Sequence, residues 1–213
     1  MTVPFPKLRR RLIAILRGVK PDEALAIGAA VFEAGIEAIE VPLNSPDPFR
    51  SIELLASSLP HSVLIGAGTV LTAAQVDDLH DAGGRLLVSP NIHRSVMERA
   101  AHHGMVTMPG VFTPTEAFLA LSLGASALKF FPANALGTNG ISAIKAVLPK
   151  DTIIGAVGGV SEKDFADYAK IGVSTFGLGS SLYTPGLGVE AVAGRATAAV
   201  AEWDAAFAKD REA

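Results

Sequence analysis

The sequence predicts an α/β fold, a single closed barrel of eight parallel strands alternating with eight helices, in one domain over residues 1–213. Three observations predict it. Helical patterns stop at even intervals along the whole chain, mostly continuous apolar strands follow the stops, and distinctive residues collect at the same end of every strand. An open, doubly wound sheet is the competing architecture, but no G-x-G-x-x-G turn follows the first strand.

The stops are Gly35, Gly83, Gly104, Gly124 and Gly172, joined by Leu59-Pro60 and Leu148-Pro149. They are separated by 20 to 25 residues, the length of a minimal βα unit with short loops. Expected strands are Leu12–Leu16, Ile36–Val41, Ser62–Gly66, Arg85–Ser89, Met105–Met108, Ala125–Phe131, Thr152–Ala156 and Val173–Leu178. Thr72-Ala73-Ala74-Gln75 and Thr113-Pro114-Thr115-Glu116 read as capping boxes. Pro21-Asp22-Glu23 and Ser161-Glu162-Lys163-Asp164 place acid at helix amino termini, where the dipole favours it. A last helix from about Gly188 to Lys209 closes the set, with Trp203 and Phe207 four apart to pack it on the barrel.

Composition narrows the function. With 213 residues, 49% hydrophobic and 18% charged, the chain can build one sizeable core and has little scope for disorder. A formal charge of −3 gives no field for nucleic acid. The one basic cluster, Lys7-Leu8-Arg9-Arg10-Arg11, reads as a solvated lead-in and not as part of a signal peptide. No apolar run approaches the ~20 residues of a membrane helix, and with no cysteine there are no disulfides or thiolate metal sites. A cytoplasmic, soluble protein is expected. The five histidines (His61, His80, His93, His102 and His103) show no H-x-x-x-H pair and no ligand spacing to acids, so they are expected at the surface or in caps. Neither a metal nor a cofactor is expected.

The chemistry centres on Lys129, the lysine inside the apolar run Leu128-Lys129-Phe130-Phe131. Burial favours the neutral amine, the nucleophile that forms a Schiff base with a carbonyl. The alternative is a strand-end lysine whose ammonium reaches water or a carboxylate. Lys145, Lys150, Lys163 and Lys170 fall in helices or turns, so they are poor rivals. Alternation in strands groups Ile13, Ile15 and Arg17 on one face; Ile36, Ala38 and Glu40 on a second; Ala127, Lys129 and Phe131 on a third. Glu37 then points outward, which makes Glu40 the better candidate acid. Arg17 suits either a structural ion pair or a grip on a substrate carboxylate through its planar fork. Gly158-Gly159 and Gly179-Ser180-Ser181 follow the last two strands, where such barrels hold phosphate.

Taken in order, Ile15-Leu16-Arg17-Gly18, Glu40-Val41-Pro42-Leu43-Asn44-Ser45-Pro46, Gly66-Ala67-Gly68-Thr69-Val70, Ser89-Pro90-Asn91, Leu128-Lys129-Phe130-Phe131-Pro132 and Gly158-Gly159 resemble a known family over essentially the whole chain. It is the group of class I aldolases, TIM barrels acting on 2-keto-3-deoxy-6-phosphogluconate and 2-keto-3-deoxy-6-phosphogalactonate. The resemblance implies Lys129 as the Schiff-base lysine and Glu40 as the acid/base. It implies Arg17 for the keto-acid carboxylate, with Thr69, Pro90 and Phe131 lining that end. Gly158, Gly159, Gly179 and Ser180 would hold the distal phosphate of a small sugar-acid phosphate, and a homotrimer is implied as well. The Pro42–Pro46 run and Val157, where the gluconate branch has threonine, resemble the galactonate branch; Pro109 to Glu116 resembles the gluconate branch. Val157 is therefore the expected specificity position for the C4 epimer. The galactonate reading leads, and three others stay open: a gluconate aldolase or dual-epimer enzyme of the same family, another phosphate-binding barrel such as a thiamin-phosphate synthase or phosphoribosyl isomerase, which needs no strand lysine, and a sugar-phosphate-binding regulator without turnover.

Overall fold

The computed structural model describes residues 2–208, which form a parallel barrel wrapped by helices. In chain order the strands are β1 (Leu12–Ile15), β2 (Ala38–Pro42), β3 (Leu64–Gly68), β4 (Leu86–Val88), β5 (Val106–Met108), β6 (Gly110–Val111), β7 (Leu128–Phe130), β8 (Ile154–Val157) and β9 (Thr175–Leu178). The helices are α1 (Pro21–Glu33), α2 (Pro48–Ser58), α3 (Ala73–Asp81), α4 (Arg94–His102), α5 (Pro114–Ser122), α6 (Ala133–Lys145), α7 (Phe165–Lys170) and α8 (Val189–Ala206).

Nine strands make eight staves. The sheet runs β5-β4-β3-β2-β1-β9-β8-β7-β6, and its two ends are consecutive pieces of one stave. Val106–Met108 pairs with β4 and Gly110–Val111 pairs with β7, with Pro109 between them. Proline has no N–H to give a ladder, yet its carbonyl still accepts the Lys129 N–H at 3.0 Å. The stave changes partner at that residue, and the barrel closes through it.

Five strands start later than the apolar runs suggest, for one local reason. At Gly35, Gly83, Gly104, Gly124 and Gly172 the chain takes positive φ, from +64° to +104°. The next residue then donates its N–H to the helix carbonyl five residues back: Ile36 to Val31, Gly84 to Leu79, Met105 to Ala100, Ala125 to Ala120 and Val173 to Tyr168. That is the Schellman closure, so the first apolar residue belongs to the helix cap and not to the strand. Ile36 accordingly lies in the outer core and not on the Ala38–Glu40 face.

Two apolar layers result. Ile13, Ile15, Ala38, Leu64, Leu86, Val88, Val106, Met108, Ala127 and Val157 fill the barrel interior, and a larger layer separates strands from helices. Phe5, with Val3 and Leu8, joins the interior cluster. The basic lead-in is thus not simply solvated: Arg10 is 8% exposed and forms a two-pronged pair with Asp204 of α8 at 2.8 and 2.6 Å. Arg11 donates to Ser174 Oγ, and the Arg9 N–H donates to Glu37, which has turned away from the barrel interior as alternation requires. Capping boxes form at Thr72/Gln75, Thr113/Glu116 and Ser161/Asp164. Trp203 and Phe207 stack at 4.6 Å between ring centroids. The expected helix end at Lys209 lies outside the described residues.

Candidate active site

Parallel register sets the depth of the two central ionisable groups. Lys129 lies level with Gly110 and Gly155, and Glu40 lies level with Ile15 and Gly66. Glycines beside both long polar side chains leave the interior room that a branched layer would occupy. Gly68 shows the fit most directly: a Cβ there would stand 1.9 Å from Glu40 Oε2 and 2.4 Å from its Cδ, so the carboxyl group occupies that space.

Both groups are shut away from water, Glu40 at 1% and Lys129 at 5% exposure. Burial pushes the Glu40 carboxyl up to about 7, against the opposing pull of the positive charges of Lys129 and Arg17. Burial drives the Lys129 amine down from its ordinary value; the Glu40 charge opposes the fall and the Arg17 charge adds to it. The Lys129 Nζ also lies 4.8 Å from the centroid of the Phe131 ring, a face suited to a cation. Glu40 Oε2 has no hydrogen-bond partner among the described residues. A buried carboxyl oxygen without a partner is costly unless a ligand or proton transfer uses it.

Lys129 opens onto a cavity of about 740 Å³. Arg17, Thr69, Pro90, Phe131, Val157, Gly158, Gly159, Gly179 and Ser180 line it with the amine. Every expected site residue except Glu40 is on this wall, and Glu40 sits just behind it against Gly68. Thr69 adopts φ +58°, a left-handed conformation that a β-branched residue rarely takes outside functional turns. Gly158 and Gly159 have φ of +92° and +67°; a Cβ on Gly158 would touch the Phe131 ring at 3.0 Å. The glycine pair therefore lets the loop after β8 fold down onto the lysine stave.

Three features escaped the sequence reading. Ser161 lines the cavity besides capping its helix turn. Asn44 Oδ1 accepts a hydrogen bond from Arg17 Nη1 at 2.5 Å. Away from the cavity, the histidines do gather with an acid: His103 Nε2 is 2.6 Å from Asp77, and the His80 and His103 rings stack at 4.2 Å. Sequence spacing missed this because α3 and α4 meet only in the folded barrel. Among the described residues, no group of three such side chains is arranged to hold a metal ion, and no helix is long and apolar enough to cross a membrane.

Comparison with known proteins agrees with this geometry. Residues 7–191 match the aldolase family described as KDPG and KHG aldolase. The probable 2-dehydro-3-deoxy-6-phosphogalactonate aldolase of Rhizobium meliloti (strain 1021) is 61% identical over 205 residues, 96% of this chain and 97% of that one. The 2-dehydro-3-deoxy-6-phosphogalactonate aldolase of Escherichia coli (strain K12) is 51% identical over 189 residues, 89% of this chain and 92% of that one. A solved structure described as native KDPGal superposes with a TM-score of 0.93 at 47% identity, covering 98% of this chain and all of that one. The chain belongs to the KDPG and KHG aldolase family and is an enzyme of the lyase class.

Proposed function

We propose that the chain is a class I aldolase that cleaves 2-dehydro-3-deoxy-6-phospho-D-galactonate to pyruvate and D-glyceraldehyde 3-phosphate. The observation that carries the reading is a buried strand lysine, held toward its neutral form, beside a buried acid and at the wall of a cavity large enough for a six-carbon phosphate. Lys129 adds to the C2 ketone and loses water, giving a cationic iminium that withdraws electrons from C3. Glu40, as carboxylate, takes the C4 hydroxyl proton through a water molecule. The C3–C4 bond then breaks, its electron pair forming the enamine while C4 leaves as the aldehyde. Protonation of the enamine and hydrolysis of the iminium release pyruvate and regenerate the amine. Phe131 presents its ring face to the iminium. Arg17 holds the carboxylate so that the C3–C4 bond aligns with the π system, with Thr69 and Pro90 completing that end. Gly158, Gly159, Gly179 and Ser180 receive the phosphate through backbone amides.

Val157 is the residue we assign to epimer choice: it lines the same cavity as Lys129 and immediately precedes the Gly158-Gly159 pair. The galactonate names of the 61% and 51% identical relatives favour that epimer. The working form we propose is a cytoplasmic homotrimer. Leu71, Phe112 and Phe118, 46%, 39% and 47% exposed, offer apolar surface for such an assembly.

Borohydride trapping with pyruvate tests the chemistry. Expected is one reduced pyruvyl adduct on Lys129; no adduct, or one on another residue, refutes the scheme. Assaying both C4 epimers side by side tests the substrate, and faster cleavage of the gluconate epimer would reverse the assignment.

A further inference from the structure

The geometry points to Asn44 as the residue that positions the Arg17 guanidinium for the substrate carboxylate, a role that rests on the aldolase reading above. Arg17 lines the mouth of the cavity with an exposed side chain, and so long a chain loses rotamer entropy when it is held in one conformation. Among the described residues its one side-chain hydrogen bond is the 2.5 Å contact from Nη1 to Asn44 Oδ1.

The acceptor itself stands on a fixed turn. The Leu43 N–H donates to Gly68 O at 2.8 Å, and the Ser45 N–H donates to Pro42 O at 2.9 Å. Ser45 Oγ, on a residue only 8% exposed, accepts the Gly18 N–H at 2.9 Å. Gly18 in turn lies under Pro185, where an added Cβ would come within 2.6 Å of Cγ. Two adjacent turns, one after β1 and one after β2, are therefore strapped together by two hydrogen bonds, one of which ends on the guanidinium. The chemistry of the acceptor matters as well. An amide oxygen orients the fork without cancelling its charge, whereas a carboxylate in its place would compete with the substrate's own. The segment that delivers the acid Glu40 thus also aims the arginine, four residues further on.

The test is a double-mutant cycle read by the pyruvate concentration that half-saturates borohydride trapping on Lys129. Expected for Asn44→Ala, and for Asn44→Leu as a second variant, is a rise of about tenfold in that concentration, with the same labelling at saturation. The kcat for cleavage is expected to fall less than KM rises. In an Arg17→Ala background the Asn44 substitution is expected to change half-saturation by less than twofold, because its effect runs through the guanidinium. Half-saturation within twofold of the parent in both single variants overturns the inference. So does an equal loss in the Arg17→Ala background, which would mean that Asn44 acts on substrate or fold directly. Absence of trapping in the unsubstituted protein is a different result: it removes the aldolase reading and the inference with it.

Discussion

Glu40→Gln isolates the cost of keeping a carboxyl group in the barrel. Burial raises the Glu40 carboxyl in the folded protein to about 7, from the ordinary value of 4.5 that it has in the unfolded chain. Between those values the folded state keeps a proton that the unfolded state has lost. Its contribution is therefore fully present below pH 4.5 and is lost as pH rises through 7. At about 1.36 kcal/mol per pKa unit the whole change is about 3 kcal/mol, and about 2.5 kcal/mol of it falls between pH 5 and pH 8. Glutamine keeps the shape and removes the titration. Lys129 works in the opposite sense, since its lowered pKa makes stability rise toward pH 10.5; removing the Glu40 charge, which opposes that lowering, drives the amine further down and adds to the variant's advantage at higher pH. The assay is urea unfolding at pH 5, 6, 7 and 8 at one protein concentration, so that any assembly contributes equally. Expected is a variant whose stability advantage over the parent grows by about 2.5 kcal/mol or more across that range. A difference that stays constant, or shrinks toward pH 8, refutes the assignment of a raised pKa to Glu40.

Gly68→Ala places a methyl group where the Glu40 carboxyl now lies, 1.9 Å from Oε2. A displacement of about 1 Å is expected to lower kcat about 100-fold while pyruvate trapping on Lys129 persists; a kcat within threefold of the parent would show that the carboxyl is not held there. Arg10→Ala removes the guanidinium from Asp204, whose side chain is 31% exposed. The partial exposure discounts a buried-pair cost to about 2 kcal/mol; calorimetry is expected to show a fall of about 4–8 °C in Tm with cleavage rate at 25 °C unchanged, and an unchanged Tm would mean that the lead-in is not anchored by this pair.

Sequence by itself determined the order of elements, the barrel, and which residues gather at its mouth. The stops are encoded within single helical turns, as glycines that accept positive φ and prolines that cannot continue a helix, so spacing along the chain reveals them. Alternation within β1, β2 and β7 likewise put Arg17, Glu40 and Lys129 on inward faces, because a strand's side-chain parity is local. Tertiary structure decided whatever depends on two distant segments meeting. Pro109 divides a stave because its neighbours differ above and below it. Arg10 finds Asp204, 194 residues away, only when α8 returns to the start of the chain. Asn44 meets Arg17 only when the turns after β1 and β2 stand side by side. Most of all, the depth of burial that drives Glu40 up and Lys129 down is a property of the closed barrel. Periodicity can say that a residue points inward, but only the packed neighbours fix how much water is left around it.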